Sequence, residues 1–352
     1  MEEDIISIFI KGVKNSEFFN KRKEGISFPR NCLKISRLLW FRLITRRKTL
    51  LSSKVIFIWE HLHEKVLRSY EGERVVLLAQ KNQLGGDSFI AYLPFFILVK
   101  SLWGIPTEVK KSHLSYEWFF YKAIVNFIFL NDIKCITIAG HYDLRSTWIS
   151  YLAKKKHIEM VVSQHGANSM YKLPYKIPVD RVDVFSQAEE EMFRITVLNP
   201  EETVFLIKGF QTSLVFSEGG FTTKTIAIAS QPGYEERVLR LAEDIILIDD
   251  NINIIIYSHP KDQFNKGLIS INKGRHCRVE KKERYWDVDY LIVFTSTLAY
   301  DYWACEKFSG QIFCYFDESC SVALYNDKRA ILIYPETCYN QLKEYLNRSH
   351  DI

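Results

Sequence analysis

Three short polar clusters, each closing an apolar run, mark where this sequence could do chemistry. Gln164-His165-Gly166 follows Val161-Val162, His259-Pro260 comes just after Ile254-Ile255-Ile256-Tyr257, and Ser296-Thr297 comes just after Leu291-Ile292-Val293-Phe294. An imidazole titrates near neutral pH, so His165 needs little tuning to act as a base, and His259 has the same capacity for proton transfer. The hydroxyls of Ser296 and Thr297 either cap the helix that follows or donate to a ligand. Open α/β sheets bind ligands outside the carboxyl ends of their strands, which is where all three clusters are expected.

The elements that must position these clusters follow from the apolar pattern. The first fifty or so residues read as helical and basic. Arg74–Leu78 reads as a buried strand ended by Gln83–Ser88, with Gly86 and Asp87 in the loop and a helix expected from Ala91 to Leu102. A Gly-Gly pair in such a loop either makes a tight turn or lets a helix N-terminus face a ligand. A helix around Tyr116–Leu130 precedes the strand Cys135–Ala139, whose polar end His141–Ser146 holds Asp143 and Arg145. A second series starts at Thr225–Ala229, with the loop Ser230-Gln231-Pro232-Gly233 and a helix from Glu235. It continues through Asn253–Tyr257, Cys277–Val279 and Tyr290–Phe294 to Ile312–Tyr315, which is expected to close the sheet. Strands alternating with helices predict mostly parallel, doubly wound sheets.

At 352 residues the chain is too long for one comfortable core. The polar stretch Gly219–Lys224 is the expected linker. It separates an N-terminal Rossmann-like domain over 1–215, with a basic helical start over 1–54, from a C-terminal one over 224–335. A last helix over 336–352 has the option of crossing back to the first domain.

Hydrophobic content of 47% with 25% charged residues is that of a soluble globular chain, and a net charge of +5 does not by itself call for nucleic acid. Between Lys21 and Lys54, however, the sole acid is Glu24, while Arg42, Arg46, Arg47 and Lys48 interleave with Leu38, Leu39, Trp40, Phe41, Leu43 and Ile44. That pattern fits either an anionic membrane surface or an amphipathic helix packed on its own domain. No signal-peptide layout or membrane-spanning run is visible. The seven scattered cysteines show no Cys-x-x-Cys spacing, so neither a zinc site nor a disulfide framework is expected. The expected location is cytoplasmic, with peripheral attachment to the inner membrane as the extension.

Taken together over residues 135 to 310, the order Gln164-His165-Gly166, His259-Pro260, Ser296-Thr297 resembles bacterial GT-B glycosyltransferases that use cytidine-activated donors. These include sialyltransferases, capsule-type Kdo transferases and, more distantly, CDP-glycerol polymerases. The resemblance implies an α/β GT-B fold, two Rossmann-like domains facing a central cleft, the first for the acceptor and the second for the nucleotide sugar. Its implied nucleotide-binding residues are His259 and Pro260, Ser296 and Thr297, with Ser230, Gln231 and Asp301 beside them. His259 would contact the CMP phosphate and act as general acid, and hydroxyls at a helix start would add the favourable end of its dipole. The expected acceptor or sugar residues are Gln164, Gly166, Arg145, Gly86 and Asp87, an Arg being suited to a sugar carboxylate. The Asp/Glu-Asp/Glu-Gly motif that holds the sialyltransferase base is absent. His165 and Asp143 are therefore the candidate bases, and Asp143 is also the candidate nucleophile if configuration is retained. No cofactor and no metal are expected. The expected partners are a nucleotide-sugar donor, a lipid-linked glycan acceptor and an anionic membrane surface, with no nucleic acid.

Overall fold

The computed structural model describes residues 2–19, 28–50, 54–58, 75–77, 87–104, 112–139, 144–164, 166–167, 169–170, 176–210, 212, 214–217, 221–258, 277–281, 285–318 and 321–348. In chain order the first half contains α1 (Glu2–Phe19), α2 (Phe28–Ile44), β1 (Lys54–Ile58), β2 (Val75–Leu77), β3 (Asp87–Ser88), α3 (Phe95–Lys100), α4 (Ser112–Leu130), β4 (Cys135–Ile138), α5 (Leu144–Lys155), β5 (Glu159–Ser163), β6 (Ser169–Met170), β7 (Arg181–Val184), α6 (Gln187–Thr196) and β8 (Val204–Ile207). The second half contains β9 (Thr225–Ala229), α7 (Glu235–Ile248), β10 (Asn253–Ser258), β11 (Cys277–Lys281), β12 (Tyr290–Val293), α8 (Leu298–Trp303), β13 (Gln311–Tyr315), β14 (Ser321–Val322), β15 (Ala330–Ile333) and α9 (Cys338–Arg348).

Two compact units result. Met1–His165, Leu173–Val184 and Phe193–Leu206 form the first, while Gly166–Lys172, Phe185–Met192 and Ile207–Ile352 form the second. A single cut between residues 215 and 224 does not describe this division. Two short pieces of the first half belong to the second unit, where Ala167 N–H bonds Thr297 Oγ1 and Glu189 Oε1 accepts from Tyr300 OH.

The first unit's sheet has the order β3-β2-β1-β4-β5-β7-β8. β4 (Cys-Ile-Thr-Ile) is buried along its whole length, as a parallel strand covered by helices on both faces must be, whereas β7 has Arg181 and Asp183 paired at 3.1 Å. Trp148 of α5 is fully buried and stacks on Phe9 of α1 at 5.2 Å, with Tyr121 of α4 at 4.9 Å. Gly12 faces the Trp148 indole with no room for a Cβ, which lets α1 lie close against α5. Where one helix was expected over Ala91–Leu102, a 3-10 turn (Phe89–Tyr92) precedes α3, and Pro94 separates them. Proline lacks the N–H that a helix interior needs, so the segment breaks there. His157 takes a left-handed φ of 54° just past α5, and Ile158 N–H closes the helix by bonding Ala153 O at 3.0 Å. That stop turns the chain into β5, the strand leading to Gln164.

The second unit's sheet has the order β11-β10-β9-β12-β13-β15, every adjacent pair parallel. This is the 3-2-1-4-5-6 order of the Rossmann fold, whose switch point lies between its first and fourth strands, here β9 and β12. Ile312–Tyr315 does not close the sheet: Ala330–Ile333 pairs outside it, a four-residue edge strand too short to stand out as an apolar run. α9 buries Cys338, Leu342 and Leu346 in this unit's core, and Lys224 Nζ donates to Leu346 O at 2.7 Å. The terminal helix thus packs on the second sheet and does not cross back.

Candidate functional site

The site is built on the second unit's switch point. Behind β9 comes Ser230, and behind β12 come Phe294, Thr295, Ser296 and Thr297. Ser230 N–H donates to Tyr257 O of β10 at 3.0 Å, fixing the loop to the sheet. Its side chain is 4% exposed, yet among the described residues its Oγ has no hydrogen-bond partner. Thr295 Oγ1 donates to Gln231 Oε1 across the switch point. Ser296 Oγ accepts the Leu298 N–H at 3.2 Å, and Thr297 Oγ1 accepts the Ala167 N–H at 3.1 Å. A hydroxyl that accepts still has its own proton to give. Among the described residues neither hydroxyl donates to a partner, so each still has a proton to give.

Three consecutive residues of α8 hold this loop in place. Tyr300 OH donates to Glu189 Oε1 at 2.8 Å, and Asp301 Oδ1 accepts from Thr212 Oγ1 at 2.7 Å. Tyr302 OH donates to Trp286 O at 2.8 Å and lies 2.9 Å from Tyr257 OH. Glu189 is fully buried, at the fourth position of Ser186-Gln187-Ala188-Glu189, which has the spacing of a capping box. Its N–H does meet Ser186 Oγ at 3.4 Å, while its carboxylate accepts from Tyr300. Burial first, then the Glu189 charge, push the Tyr300 phenol far above its ordinary range; burial does the same for Tyr302. Both stay protonated donors at any working pH. Beside them, Arg329 grips Asp327 with two bonds of 2.9 and 2.8 Å. Burial pushes the Asp327 carboxyl up, but the Arg329 bonds and charge outweigh it and hold the carboxyl below its usual range.

Of the residues singled out by sequence, Ser230, Gln231, Ser296, Thr297, Asp301 and Gly166 all belong to the second unit. A Cβ on Gly166 would sit 3.1 Å from Thr297 Oγ1, so glycine suits the close approach that brings Ala167 N–H to that oxygen. Asp301 is buried and braces Thr212, a positioning role. α8 has six residues, so its dipole is small, and the hydroxyls themselves must carry any anion recognition. Gln164 is buried in the first unit, its N–H bonded to Asp183 O at 3.0 Å. Arg145 lays its guanidinium 3.6 Å from the Phe120 ring centroid, a packing role. Asp87 lies in β3. His165, Asp143, His259, Pro260 and Gly86 lie outside the described residues.

Sequence reasoning missed Thr295 as a bridge and Glu189 as an anchor. Thr295 was legible from its place in the same strand end, whereas the Glu189–Tyr300 bond spans a sequence distance no local pattern reports. Asp287-Val288-Asp289 has the Asp-x-Asp spacing sometimes used for metals, but it precedes β12, at the opposite end of the strand, and Asp289 Oδ2 accepts the Thr225 N–H at 2.7 Å. Among the described residues no cluster of three His, Cys, Asp or Glu side chains forms a metal-binding group. A cavity of about 440 Å³ in the same unit is lined by Arg237, Arg240, Asp244, Tyr315, Asp317 and Cys338, among others, and by none of the switch-point residues.

No family model and no curated protein sequence matches the chain. Solved structures do resemble it at the level of the backbone. One is described as the glycotransferase of kitacinnamycin, with 8% identity over 84% of this chain and 89% of that one, at a TM-score of 0.47. TarM follows with 12% identity over 62% of this chain and a TM-score of 0.40, and the GtfA/B complex with 10% over 66% and 0.41. The match spans 47% of the TarM chain and 53% of the GtfA/B chain. The α/β assignment, two parallel Rossmann-like sheets, rests on the strand orders given above.

Proposed function

We propose that this protein is a glycosyltransferase of the GT-B type that holds a cytidine-activated donor at the switch point of its second unit. In the reading we favour it moves sialic acid from CMP-sialic acid to a glycan hydroxyl in the assembly of a bacterial surface polysaccharide, whether O-antigen, capsule or lipooligosaccharide. The observation that carries this is the hydroxyl cluster at the ends of β9 and β12, with Ser230 Oγ buried and unpartnered among the described residues. A buried hydroxyl left without a partner costs about 1–3 kcal/mol, a cost that a bound ligand would offset.

The charge of the two described loops, 230–234 and 294–300, favours a single phosphate over a pyrophosphate. Glu235 and Glu236 fill the first turn of α7, and no Lys or Arg occurs in 230–234 or 294–300. Neutral donors suit the one negative charge of a CMP-sugar phosphodiester. In this reading the Ser296 and Thr297 protons point to the leaving phosphate, and His259 supplies its proton. His165, or Asp143, takes the proton of the acceptor hydroxyl. No metal takes part. Transfer of Kdo from its CMP donor, or a CDP-glycerol-type reaction, is the close alternative, favoured by Gln-His-Gly in place of an acidic triplet. The alternative of another class is an assembly protein that keeps the fold without catalysis.

Melting curves with CMP, CDP, UDP and GDP test the proposal. A ligand at about 100 times its Kd should add about 2.7 kcal/mol. Stabilisation by CMP that shrinks in Ser296→Ala and Thr297→Val supports it. Stabilisation by UDP alone replaces the cytidine donor, and none by any nucleotide favours the non-catalytic assembly protein.

A further inference from the structure

The basic segment near the N-terminus forms a surface with no part in the site described above. α2 turns Leu38 and Arg42 inward, while Leu33, Arg37, Trp40 and Ile44, at i, i+4, i+7 and i+11, share its outer face. Trp40 is 64% exposed and Ile44 65%. Arg42, one of the cations that the sequence offered to a membrane surface, is buried: its Nε donates to Leu93 O at 2.5 Å and its Nη1 to Thr45 O at 2.6 Å. Burial, and then the Arg47 charge, lower its pKa. That bond, with Lys48 N–H on Ala91 O at 3.0 Å, ties the end of α2 to the turn before α3. α2 and α3 pack together, and the second element has its own exposed aromatics, Phe96 at 68% and Trp103 at 71% just beyond it.

We propose that these two elements together dock the first unit on an anionic lipid bilayer. The occupant follows from charge and side-chain type. Every charged residue between Phe28 and Leu50 is Lys or Arg, and Arg46, Arg47, Lys48 and Lys100 are exposed at the rim. Anionic headgroups attract such a rim, and tryptophan prefers the headgroup level of a membrane interface. A second copy of the chain would bring the same cations face to face, which opposes self-association. No described helix is long and apolar enough to cross a membrane, so the contact is peripheral. The sequence pointed to the cations of α2; the structure adds a second element, read from sequence as part of a helix over Ala91–Leu102, and removes Arg42 from the contact.

The test is co-sedimentation of the full chain with phosphatidylcholine vesicles, with and without phosphatidylglycerol, at low and high salt. The expected result is binding to the anionic vesicles only, weakened severalfold by salt. Trp40→Ser with Ile44→Ser should weaken it by about tenfold or more, and Trp103→Ser, on the other element, by a smaller factor. Arg46→Gln with Arg47→Gln should reduce it by about tenfold at low salt with no change in melting temperature. Because the charge pair is fully exposed, it remains informative if the apolar pair misfolds. Failure of the wild type to bind anionic vesicles overturns the proposal, as does equal binding by all variants. A dimer that dissociates in the Trp40/Ile44 variant, with no vesicle binding, would make this face a self-association surface instead.

Discussion

The two sheets share one winding plan and differ in what packs behind them. In each, the third, second and first strands run outward from a central point and the fourth begins the other half. Behind the first unit's sheet the helices pack through large rings, Phe9, Trp118, Tyr121 and Trp148, all buried. Behind the second, β9 presents Ala227 and Ala229, and the rings gather around α8, where phenol groups make directed bonds. Ring packing on the first side is tolerant of direction. The second side fixes a six-residue helix through three consecutive side chains, which is how a short loop of hydroxyls is held still. The difference is one of packing: directed phenol and carboxylate bonds hold the switch-point loop of the second unit, while the first unit's helices are held by stacked rings.

The largest break in this comparison should come from Trp148→Ala, which removes the ring at the centre of the first core. A loss of about 3–5 kcal/mol is expected in chemical denaturation. If the units are as separate energetically as in their cores, the second unit's near-ultraviolet signal should survive to higher denaturant than the first's. Gly310→Ala is the counterpart in the second unit, because a Cβ there would meet Val288 O at 2.4 Å and Asp289 O at 2.6 Å; a cost of about 1–3 kcal/mol is expected from overpacking.

Much of the fold behind those predictions was legible as sequence. TIAIA, NIIIYS and YLIV are continuous apolar runs because strands covered on both faces have no polar side to alternate with. What stayed illegible was long-range. Nothing local to Gly166, Ala167 or Glu189 says that they join Thr297 and Tyr300 in the second unit. Ala330–Ile333 escaped notice because a short edge strand beside a charged turn has too few residues to show a period. That Ser230, Gln231, Ser296 and Thr297 stand at strand ends was legible, because strand-end position is a local property; that Asp301 braces Thr212 was not.

A pH series sharpens the picture around α8. The Asp327 carboxyl titrates below its usual range, so its contribution to stability is present above the unfolded-state value of about 4 and is lost as pH falls through the depressed folded value. Melts between neutral and strongly acid pH should show this acid-side loss, and Asp327→Asn should flatten it. An unchanged acid profile in that variant would mean that the Arg329 grip is not energetically significant.

The smallest expected effect on folding is also the most diagnostic. Ser230→Ala removes a buried hydroxyl that has no partner among the described residues, so the free protein should be as stable or gain up to about 1 kcal/mol. Nucleotide affinity should fall by about tenfold in the same variant, read by calorimetric titration. A variant that loses stability and keeps affinity would show that Ser230 serves the fold.

The most direct test of the central claim is hydrogen–deuterium exchange of the full chain with and without CMP. Protection at residues 230–234 and 294–300, with little change along β4 and β5, is the result predicted for a nucleotide held at the second unit's switch point. Protection confined to the first unit, or none at a CMP concentration that stabilises the protein, would contradict it.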